Sequence, residues 1–350
     1  MSTPINVGLT SFGMSGRVFH GPLLKTNPNF KVVSVMQRTP RGAEEYFTGC
    51  RTVKKFSGLT SDPEIELVIV NTPDQTHYDY TKEALEAGKH VIVEKPFTMT
   101  VAEGEELVAL AEKKGLILSV FHNRRWDGGA LTVREILKKG YLGRIVEFES
   151  HYDRFRNFIQ ENTWKEDKKA GTGTLYNLGS HQIDEALFLF GMPDGVWADL
   201  RVMRTGGKVV DYFNILLRYP DKSVILRCSY LVKEEGPRIV LHGTDGSYVK
   251  YGIDPQEERL KAGHLPDEAN WGYEDDIYWG TINRVQKNGR TVRKTYKTVN
   301  GNYPAFYENI YQAIRQKKAL VVKPEEALNV IRVIEGAIKS SEERREVPLP

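Results

Sequence analysis

The chain has few cysteines, and they are not spaced as metal ligands or redox pairs are. Among its 350 residues only Cys50 and Cys228 are cysteines, and they lie far apart in the sequence. Neither belongs to a C-x-x-C pair, which argues against a metal site and a thiol redox centre. We therefore predict no bound metal and two buried or inactive thiols in a reducing compartment.

Long apolar runs and long basic tracts are also missing. No window approaches the roughly 20 apolar residues of a membrane span, and the N-terminal stretch lacks the basic and apolar regions of a signal peptide. The formal net charge is +3, a small excess spread along the chain, so neither nucleic acid nor an anionic membrane is predicted as a partner. The default expectation is a cytoplasmic enzyme or binding protein with a small-molecule partner.

Strand-like and helix-like segments alternate through the first third of the chain. The pattern predicts strands at residues 5–10, 30–36, 53–56, 66–72, 90–96 and 116–121, and helices at 15–25, 41–47, 77–87 and 101–114. Strands separated by segments of helix length indicate a parallel, doubly wound sheet. Continuous apolar runs such as L-V-I-V fit strands that are covered on both faces.

The remainder of the chain has a different pattern. It predicts consecutive strands at residues 145–153, 196–204, 209–219, 223–232 and 238–243, with helices at 130–139, 178–190, 303–317 and 325–338. Alternating polarity in several of these strands is typical of an antiparallel sheet with one open face. The predicted fold is α/β: a Rossmann domain over residues 1–122, then an α+β domain over 123–350 with a large, open, mostly antiparallel sheet.

The loop after the first strand reads S-F-G-M-S-G, where dinucleotide sites read G-x-G-x-x-G. The second and third glycines of that motif let backbone approach the pyrophosphate and let helix and strand pack closely. A serine replaces the first glycine, whose tight turn a small residue can also make. Strand, loop and helix follow in the required order, so the sequence predicts a cofactor site here. Its loop residues are Ser11, Phe12, Gly13, Met14, Ser15 and Gly16.

The end of the second strand distinguishes the two nicotinamide cofactors. NAD sites place a carboxylate there for the ribose 2′-hydroxyl, whereas NADP sites lack it and supply arginine. This chain has Gln37, Arg38 and Thr39, with Arg41 nearby. The pattern favours NADP(H) over NAD(H); the alternative is that Arg38 is only a solvated charge at the strand end.

Two further segments carry residues suited to proton transfer. Lys95 follows a predicted strand, and the carboxyl end of a parallel strand faces the ligand crevice; most lysines, however, are simply on the surface. Asn177, His181 and Asp184 are spaced i, i+4 and i+7, which places them on one helix face. A central histidine makes this face a candidate acid/base site, and the alternative is a solvated helix face. One histidine without a second suitably spaced ligand does not predict a metal site.

Several ordered motifs occur together in the chain. They are V-G-L-T-S-F-G-M-S-G-R-V-F-H from Val7, N-T-P-D-Q-T-H from Asn71, E-K-P from Glu94, N-R-R-W-D from Asn123 and G-T-L-Y-N-L-G-S-H-Q-I-D from Gly173. In this order they resemble the glucose-fructose oxidoreductase / inositol dehydrogenase (Gfo/Idh/MocA) family, and within it the NADP-dependent scyllo-inositol dehydrogenases. The resemblance extends to roughly residue 240 and then weakens.

The resemblance implies a set of site residues. Besides the loop and Gln37 to Thr39, the implied cofactor-binding residues are Asn71, Thr72, Pro73, His77, Glu94, Lys95, Asn123, Arg125, Trp126 and Trp164. The N-R-R-W segment would close over the nicotinamide. Trp164 is followed by Lys165 where the family pattern suggests arginine. Tyr152, Arg154 and Tyr176 could line a polyol pocket with Lys95 and His181, although packed or exposed aromatics are the alternative.

The resemblance also implies a reaction. Hydride would move between NADP(H) and a CH–OH/C=O group of a sugar, an inositol or a related cyclic polyol. Lys95 would contact the reacting oxygen and His181 would exchange its proton. The chain departs from the family at Asn177, where an aspartate is usual, so Asn177 is a third candidate catalytic residue, and Asp184 could compensate.

Other functions stay open. One is a non-catalytic NADP(H)-binding sensor or regulator of the same fold; another is reduction of a non-sugar ketone or cyclic diol. The resemblance further suggests a homodimer or homotetramer formed through the C-terminal sheet.

Overall fold

Six strands form a parallel sheet in the first part of the chain. They are β1 (Ile5–Leu9), β2 (Phe30–Met36), β3 (Arg51–Val53), β4 (Leu67–Val70), β5 (His90–Val93) and β6 (Leu118–Val120). Their order is β3-β2-β1-β4-β5-β6, and every neighbouring pair is parallel. Strand β4 reads L-V-I-V and is fully buried, as expected for a strand covered on both faces. The predicted Rossmann sheet is confirmed.

The computed structural model describes residues 3–161, 163, 166–168 and 171–350, which divide into two compact units. The first unit comprises residues 1–126, 256–271 and 302–328. The second comprises residues 127–255, 272–301 and 329–350. Two segments beyond the boundary predicted at residues 122/123 therefore belong to the first unit.

The α-helices follow the chain from the nucleotide-type loop to the C-terminal region. They are α1 (Gly21–Lys25), α2 (Ala43–Tyr46), α3 (Ser57–Thr60), α4 (His77–Glu86), α5 (Val101–Lys114), α6 (Gly128–Lys138), α7 (Ser180–Phe190), α8 (Gln256–Lys261), α9 (Pro304–Gln316) and α10 (Pro324–Glu343). Two of them continue from π-helical turns, which precede α1 at Gly16–His20 and α7 at Leu175–Gly179. Short 3₁₀ turns lie at Asp74–Thr76, Asn123–Trp126 and Asp276–Tyr278.

Helix α5 has the bounds that its sequence predicts. Thr100 accepts a hydrogen bond from the Glu103 N–H, and the Glu103 carboxylate accepts one from the Thr100 N–H. This reciprocal capping box begins the helix. Gly115 ends it in the left-handed conformation, at φ 64°, which glycine adopts without steric cost.

Three boundaries in the first unit differ from prediction. The third strand lies at Arg51–Val53, upstream of residues 53–56, because lysines 54 and 55 lead into a turn after the strand. The helix predicted at 15–25 is divided into a π-helical turn and α1, because Pro22 lies at the N-terminal end of α1 and proline lacks the N–H that a continuous helix would use. The helix predicted at 41–47 is the shorter α2.

The second unit contains a mixed nine-stranded sheet. Its strands are β7 (Ile145–His151), β8 (Gly195–Arg201), β9 (Tyr212–Arg218), β10 (Ser223–Ser229), β11 (Ile239–Gly243), β12 (Gly246–Lys250), β13 (Gly280–Val285), β14 (Thr291–Tyr296) and β15 (Val347–Pro348). The order is β14-β13-β12-β11-β7-β10-β9-β8-β15. The β7–β10 pair is parallel and the others are antiparallel, which confirms the predicted mostly antiparallel sheet.

One face of this sheet is buried and the other is partly open. Along β9, Phe213, Ile215 and Leu217 are fully buried, whereas Leu216 is 37% exposed. Its cross-strand partner on β8, Trp197, is 38% exposed. The period-2 alternation of a half-buried sheet is therefore present as predicted.

In the part of the chain that the structure describes, no helix has the length and apolarity needed to cross a membrane.

Candidate active site

The loop between β1 and the first helical turn is shaped by two small residues. The Ser11 hydroxyl accepts a hydrogen bond from the Gly13 N–H at 3.1 Å, so serine supports the tight turn that glycine would make. A Cβ atom on Gly16 would lie 2.3 Å from the Ser11 carbonyl oxygen. Position 16 therefore requires glycine, and the close packing of strand and helix expected of a dinucleotide loop is present.

Asn71, at the end of β4, stabilises this loop through hydrogen bonds. Its side-chain amide donates to the Ser11 carbonyl oxygen at 2.9 Å. The Thr10 hydroxyl donates to the Asn71 side-chain oxygen at 3.1 Å and accepts the Asn71 N–H at 2.9 Å. Asn71 thus holds the shape of the loop, a role that its position in N-T-P did not reveal.

The other loop residues differ in exposure. Phe12 is 2% exposed and packs against the rings of Tyr46 and Phe47 at 5.4 and 5.7 Å. Met14 is 58% exposed. Phe12 therefore anchors the loop in the core, and the Met14 side chain is available at its tip.

The residues that follow β2, from Gln37 to Arg41, are basic and include no carboxylate. Gln37 is buried, and its side-chain oxygen accepts the Arg41 N–H at 2.8 Å, which shapes the turn. Arg38 and Thr39 are exposed. The Arg41 Nη1 atom lies 3.5 Å from the point that a Cβ on Gly13 would occupy. Arg41 is therefore next to the loop itself, a contact that sequence spacing alone did not predict.

His77 connects two strand ends. Its Nδ1 lies 2.7 Å from the Pro96 carbonyl oxygen, and its Nε2 lies 3.0 Å from the Thr72 carbonyl oxygen. The ring is fully buried. His77 therefore links the N-T-P segment after β4 to the E-K-P segment after β5.

Glu94 is the polar centre of the first unit's site. Its carboxylate accepts the Ser15 hydroxyl, faces His20 Nε2 at 3.1 Å and accepts the Lys95 N–H at 3.2 Å. Burial opposes ionisation of Glu94, but hydrogen bonds from His20 and Ser15 and the charge of Lys95 outweigh it and hold the pKa of Glu94 below its usual range. Lys95 follows directly and is partly exposed.

The N-R-R-W segment is tied to later parts of the first unit. Arg125 is 2% exposed and donates to the Val321 carbonyl oxygen at 2.7 Å and to Glu326 at 2.6 Å. Arg124 pairs with Glu257. Trp126 is also buried, and its ring meets Phe306 edge-on, with centroids 5.9 Å apart. Asn123 is 6% exposed. Both guanidinium groups thus have protein partners.

In the second unit, a glycine turn leads into the candidate histidine helix. Gly173 has φ +87°, and a Cβ there would lie 2.7 Å from the Val210 carbonyl oxygen. The chain then enters the π-helical turn Leu175–Gly179 and continues as α7. Gly173 is required at this turn because other residues rarely adopt this backbone conformation.

The π-helical turn changes the predicted helix face. Asn177 lies within it and is exposed, whereas His181 and Asp184 lie in α7 and are 8% and 2% exposed. The three residues therefore do not form one regular α-helical stripe, because a π turn takes more than 3.6 residues. For His181 and Asp184, burial excludes the alternative of a solvated helix face.

Hydrogen bonds and an ion pair attach helix α7 to the sheet of the second unit. The residues that make them were not predicted from the sequence. The Gln182 amide donates to the Ser150 and Arg227 carbonyl oxygens at 2.5 and 3.1 Å. Glu185 pairs with Arg238 at 3.2 Å, and both are buried. These bonds set the position of the helix that carries His181. A polar residue in mid-helix gives no sequence signal for such a role.

The predicted pocket residues have different environments. Tyr152 is 1% exposed, and the Arg238 guanidinium lies 3.9 Å from its ring centre, so it packs in the core. Arg154 and Tyr176 are partly exposed. Burial, with the charge of Glu335, raises the pKa of Tyr176 to about 12, so its phenol stays protonated at neutral pH. Trp164 lies outside the described residues.

A six-stranded parallel sheet with this glycine loop at the start of a helix defines a dinucleotide-binding domain of the Rossmann class. Residues 5–122 match the family model described as "Oxidoreductase family, NAD-binding Rossmann fold", and residues 134–349 match "Oxidoreductase family, C-terminal alpha/beta domain". The chain belongs to the Gfo/Idh/MocA family of oxidoreductases, as its motifs predicted, and its first unit is an NAD(P)-binding domain.

Relatives match over nearly the whole chain. The scyllo-inositol 2-dehydrogenase (NADP(+)) IolW of Bacillus subtilis is 41% identical, over 99% of this chain and 96% of its own length. The uncharacterized oxidoreductase YdgJ of Escherichia coli is 41% identical, over 98% of both chains. Among solved structures, the oxidoreductase YvaA of Bacillus subtilis has a TM-score of 0.97 at 41% identity, covering 100% of this chain and 99% of that one.

Proposed function

We propose that the protein transfers hydride between NADP(H) and a CH–OH/C=O group of a sugar, an inositol or a related cyclic polyol. The observation that carries the cofactor part is the basic edge beside the glycine loop. Residues 37–41 there include Arg38 and Arg41 and no carboxylate, and Arg41 reaches the loop at Gly13. The name of IolW, an NADP⁺-dependent scyllo-inositol dehydrogenase, supports the same assignment.

The residues of the first unit fit a dinucleotide. The backbone N–H groups of Met14 to Gly16, at a helical N-terminus, would hold the pyrophosphate. Arg38, Thr39 and Arg41 would bind the ribose 2′-phosphate, since guanidinium groups match phosphate geometry. When bound, the nicotinamide supplies hydride chemistry.

Lys95 and His181 are proposed to handle the substrate oxygen and its proton. Lys95 would donate to the reacting oxygen, and the adjacent Glu94 holds its backbone N–H. His181 would accept the hydroxyl proton in oxidation and return it in reduction. The hydrogen bonds of Gln182 and Glu185 support this role because they fix the helix that carries His181.

Asn177 is proposed to modulate this chemistry. An amide can orient a neighbour through a hydrogen bond but cannot balance a cationic partner as a carboxylate does. We therefore expect lower activity, a shifted pH profile or another substrate than in relatives with aspartate. The buried Asp184 is the carboxylate proposed to compensate.

Turnover can be tested by absorbance at 340 nm with NADP⁺ and a panel of inositols and aldoses, and with NADPH and an inosose. The native protein should react with at least one compound. Lys95→Ala and His181→Ala should each lose roughly 100-fold or more, the usual range for a removed proton-transfer group. A native protein as inactive as Lys95→Ala across the panel would contradict the proposal.

The cofactor preference has its own test. Arg38→Asp should weaken NADPH binding far more than NADH binding, because a carboxylate repels the 2′-phosphate. Arg41→Ala should act in the same direction. Equal losses for the two cofactors would exclude a 2′-phosphate role for these residues.

A second candidate function is a non-catalytic NADP(H) sensor. The exposed amide at Asn177, in place of the family's usual aspartate, favours it. Tight NADPH binding without any turnover, together with a protein captured in a pull-down, would support it over the enzyme.

We also propose that the protein forms a homodimer or homotetramer through the sheet of the second unit. The partly exposed Trp197 and Leu216 pair on its open face and support this. Trp197→Glu should lower the mass measured by sedimentation; an unchanged mass would contradict an interface there.

A further inference from the structure

We infer that His20 and Tyr307 are positioning residues that orient Glu94 and, through it, both the nucleotide loop and the turn that carries Lys95. This inference rests on the proposed function for the role of Lys95. Its core is a buried chain of hydrogen bonds from Tyr307 to His20 to Glu94.

Glu94 is the point where two site segments meet. One carboxylate oxygen accepts the Ser15 hydroxyl and lies 3.1 Å from His20 Nε2. The other accepts the Lys95 N–H at 3.2 Å. A single side chain thus joins the loop after β1 to the turn after β5, and rotation of its carboxylate would disturb both.

The Tyr307 hydroxyl and the Glu94 carboxylate together place the hydrogen of the His20 ring on Nε2. The Tyr307 oxygen lies 2.6 Å from His20 Nδ1, and both residues are fully buried. A buried hydroxyl hydrogen without an acceptor is costly, and Nδ1 is the acceptor within reach. The phenol therefore donates to Nδ1, which leaves the hydrogen of the neutral ring on Nε2, directed at Glu94.

Packing holds this arrangement in place. The His20 ring lies against Phe121, with centroids 4.4 Å apart. The Tyr307 ring meets Phe30 edge-on at 5.4 Å. Tyr307 belongs to α9, 287 residues after His20, so a remote segment sets the local geometry of the cofactor loop.

Tyr307→Phe is the sharpest test because it removes one oxygen and keeps the ring. Its matched control is Tyr219→Phe in the second unit, which also removes a buried hydroxyl. The Tyr219 hydroxyl donates to the Gly191 carbonyl oxygen at 2.8 Å. The first readout is the ¹⁵N spectrum of the His20 imidazole, assigned by its loss in His20→Gln. The second is the dissociation constant for NADPH, followed by fluorescence.

The native protein should show the Nε2–H form of His20. Tyr307→Phe should keep this form, because the Glu94 carboxylate still faces Nε2, but it should shift the Nδ1 resonance, since Nδ1 loses its hydrogen bond. Tyr307→Phe should also weaken NADPH binding about fivefold, the effect of one lost hydrogen bond, while Tyr219→Phe changes neither readout. His20→Gln, which keeps a donor toward Glu94, should bind NADPH more tightly than His20→Leu.

Either of two results would overturn the inference. One is a native His20 in the Nδ1–H or doubly protonated form. The other is a Tyr307→Phe protein that matches Tyr219→Phe in both readouts. Neither readout requires substrate, so the positioning role can be tested apart from the proposed reaction. If the spectra and NADPH binding are as expected but the protein turns over no polyol, the positioning role is supported and the proposed reaction is contradicted.

Discussion

Single side chains decide the shape of the cofactor loop. Ser11 supports the first turn with its hydroxyl, and Gly16 leaves room for the Ser11 carbonyl oxygen. The strand–loop–helix order and the glycine spacing made this loop predictable from sequence. The contacts of Arg41, His20 and Tyr307 were not predictable, because they depend on side chains brought together by the fold.

Gly16→Ala is expected to disrupt the loop. The new methyl group would lie 2.3 Å from a backbone oxygen, so the backbone must move. We expect at least a tenfold loss of NADPH affinity, and a destabilisation of about 1–3 kcal/mol, the cost of overpacking. Titration and thermal unfolding measure both. Gly236→Ala, where a Cβ meets no atom within 4 Å, should leave binding intact; an equal loss there would contradict the steric account.

His151, at the end of β7, should make stability depend on pH. Burial lowers its pKa, but hydrogen bonds to Asp153 and Glu149 outweigh burial and raise it above 6.5. A raised folded-state pKa means that the stabilisation is complete below the unfolded value of 6.5 and is lost as the pH rises through the folded value.

The stability difference between the native protein and His151→Gln should therefore be largest below about pH 6 and shrink above neutrality. Denaturant unfolding at several pH values measures it. His264→Gln, at an exposed ion pair, should change stability little at any pH. A His151 difference that grows with pH would contradict the assignment.

At the scale of elements, local sequence signals predicted some helices and strands well and others poorly. Helix α5 has a capping box and a terminal glycine, and both ends were predicted. Strands β12 to β15 were missed. Strand β14 lies at the edge of the sheet, and its mostly exposed residues lack an apolar period. The π-helical turns were missed because nothing in the residue types distinguishes them from ordinary helix.

The capping box of α5 offers a direct measurement. Thr100→Ala should lower the free energy of unfolding by about 0.5–2 kcal/mol, the usual effect of losing an N-cap. Glu103→Ala should also destabilise, and the double variant should cost less than the sum, because both residues act in one motif. Strict additivity in the cycle would show that the two hydrogen bonds are independent.

At the scale of the whole molecule, the chain passes from one unit to the other several times. Phe306, in the segment 302–328, is 1% exposed and packs against Phe121 and Trp126 of the same unit. The sequence predicted the architecture of each domain, but it did not predict that two later segments of the chain belong to the first unit. A helix that joins an earlier domain looks, in sequence, like any other amphipathic helix.

Phe306→Ala should destabilise the first unit by about 3–5 kcal/mol, the usual cost of truncating a core phenylalanine. Hydrogen exchange should speed up in β1, β5 and β6 as well as in α9, because all belong to one core. Phe213→Ala, in the core of the other unit, should instead affect β9 and β10. Faster exchange confined to α9 would contradict membership of a shared core.

The interleaved units bear on any attempt to exchange cofactor specificity by building chimeras. Consider a chimera that joins the first 126 residues to the remainder of another family member. Its His20 and Phe121 would lose Tyr307 and Phe306, which come from the later segment, and would meet the other protein's residues instead. A working transplant would have to carry residues 1–126, 256–271 and 302–328 together. The cofactor-binding unit is thus built from three separate segments of the chain. A chimera made with a single crossover would separate these segments.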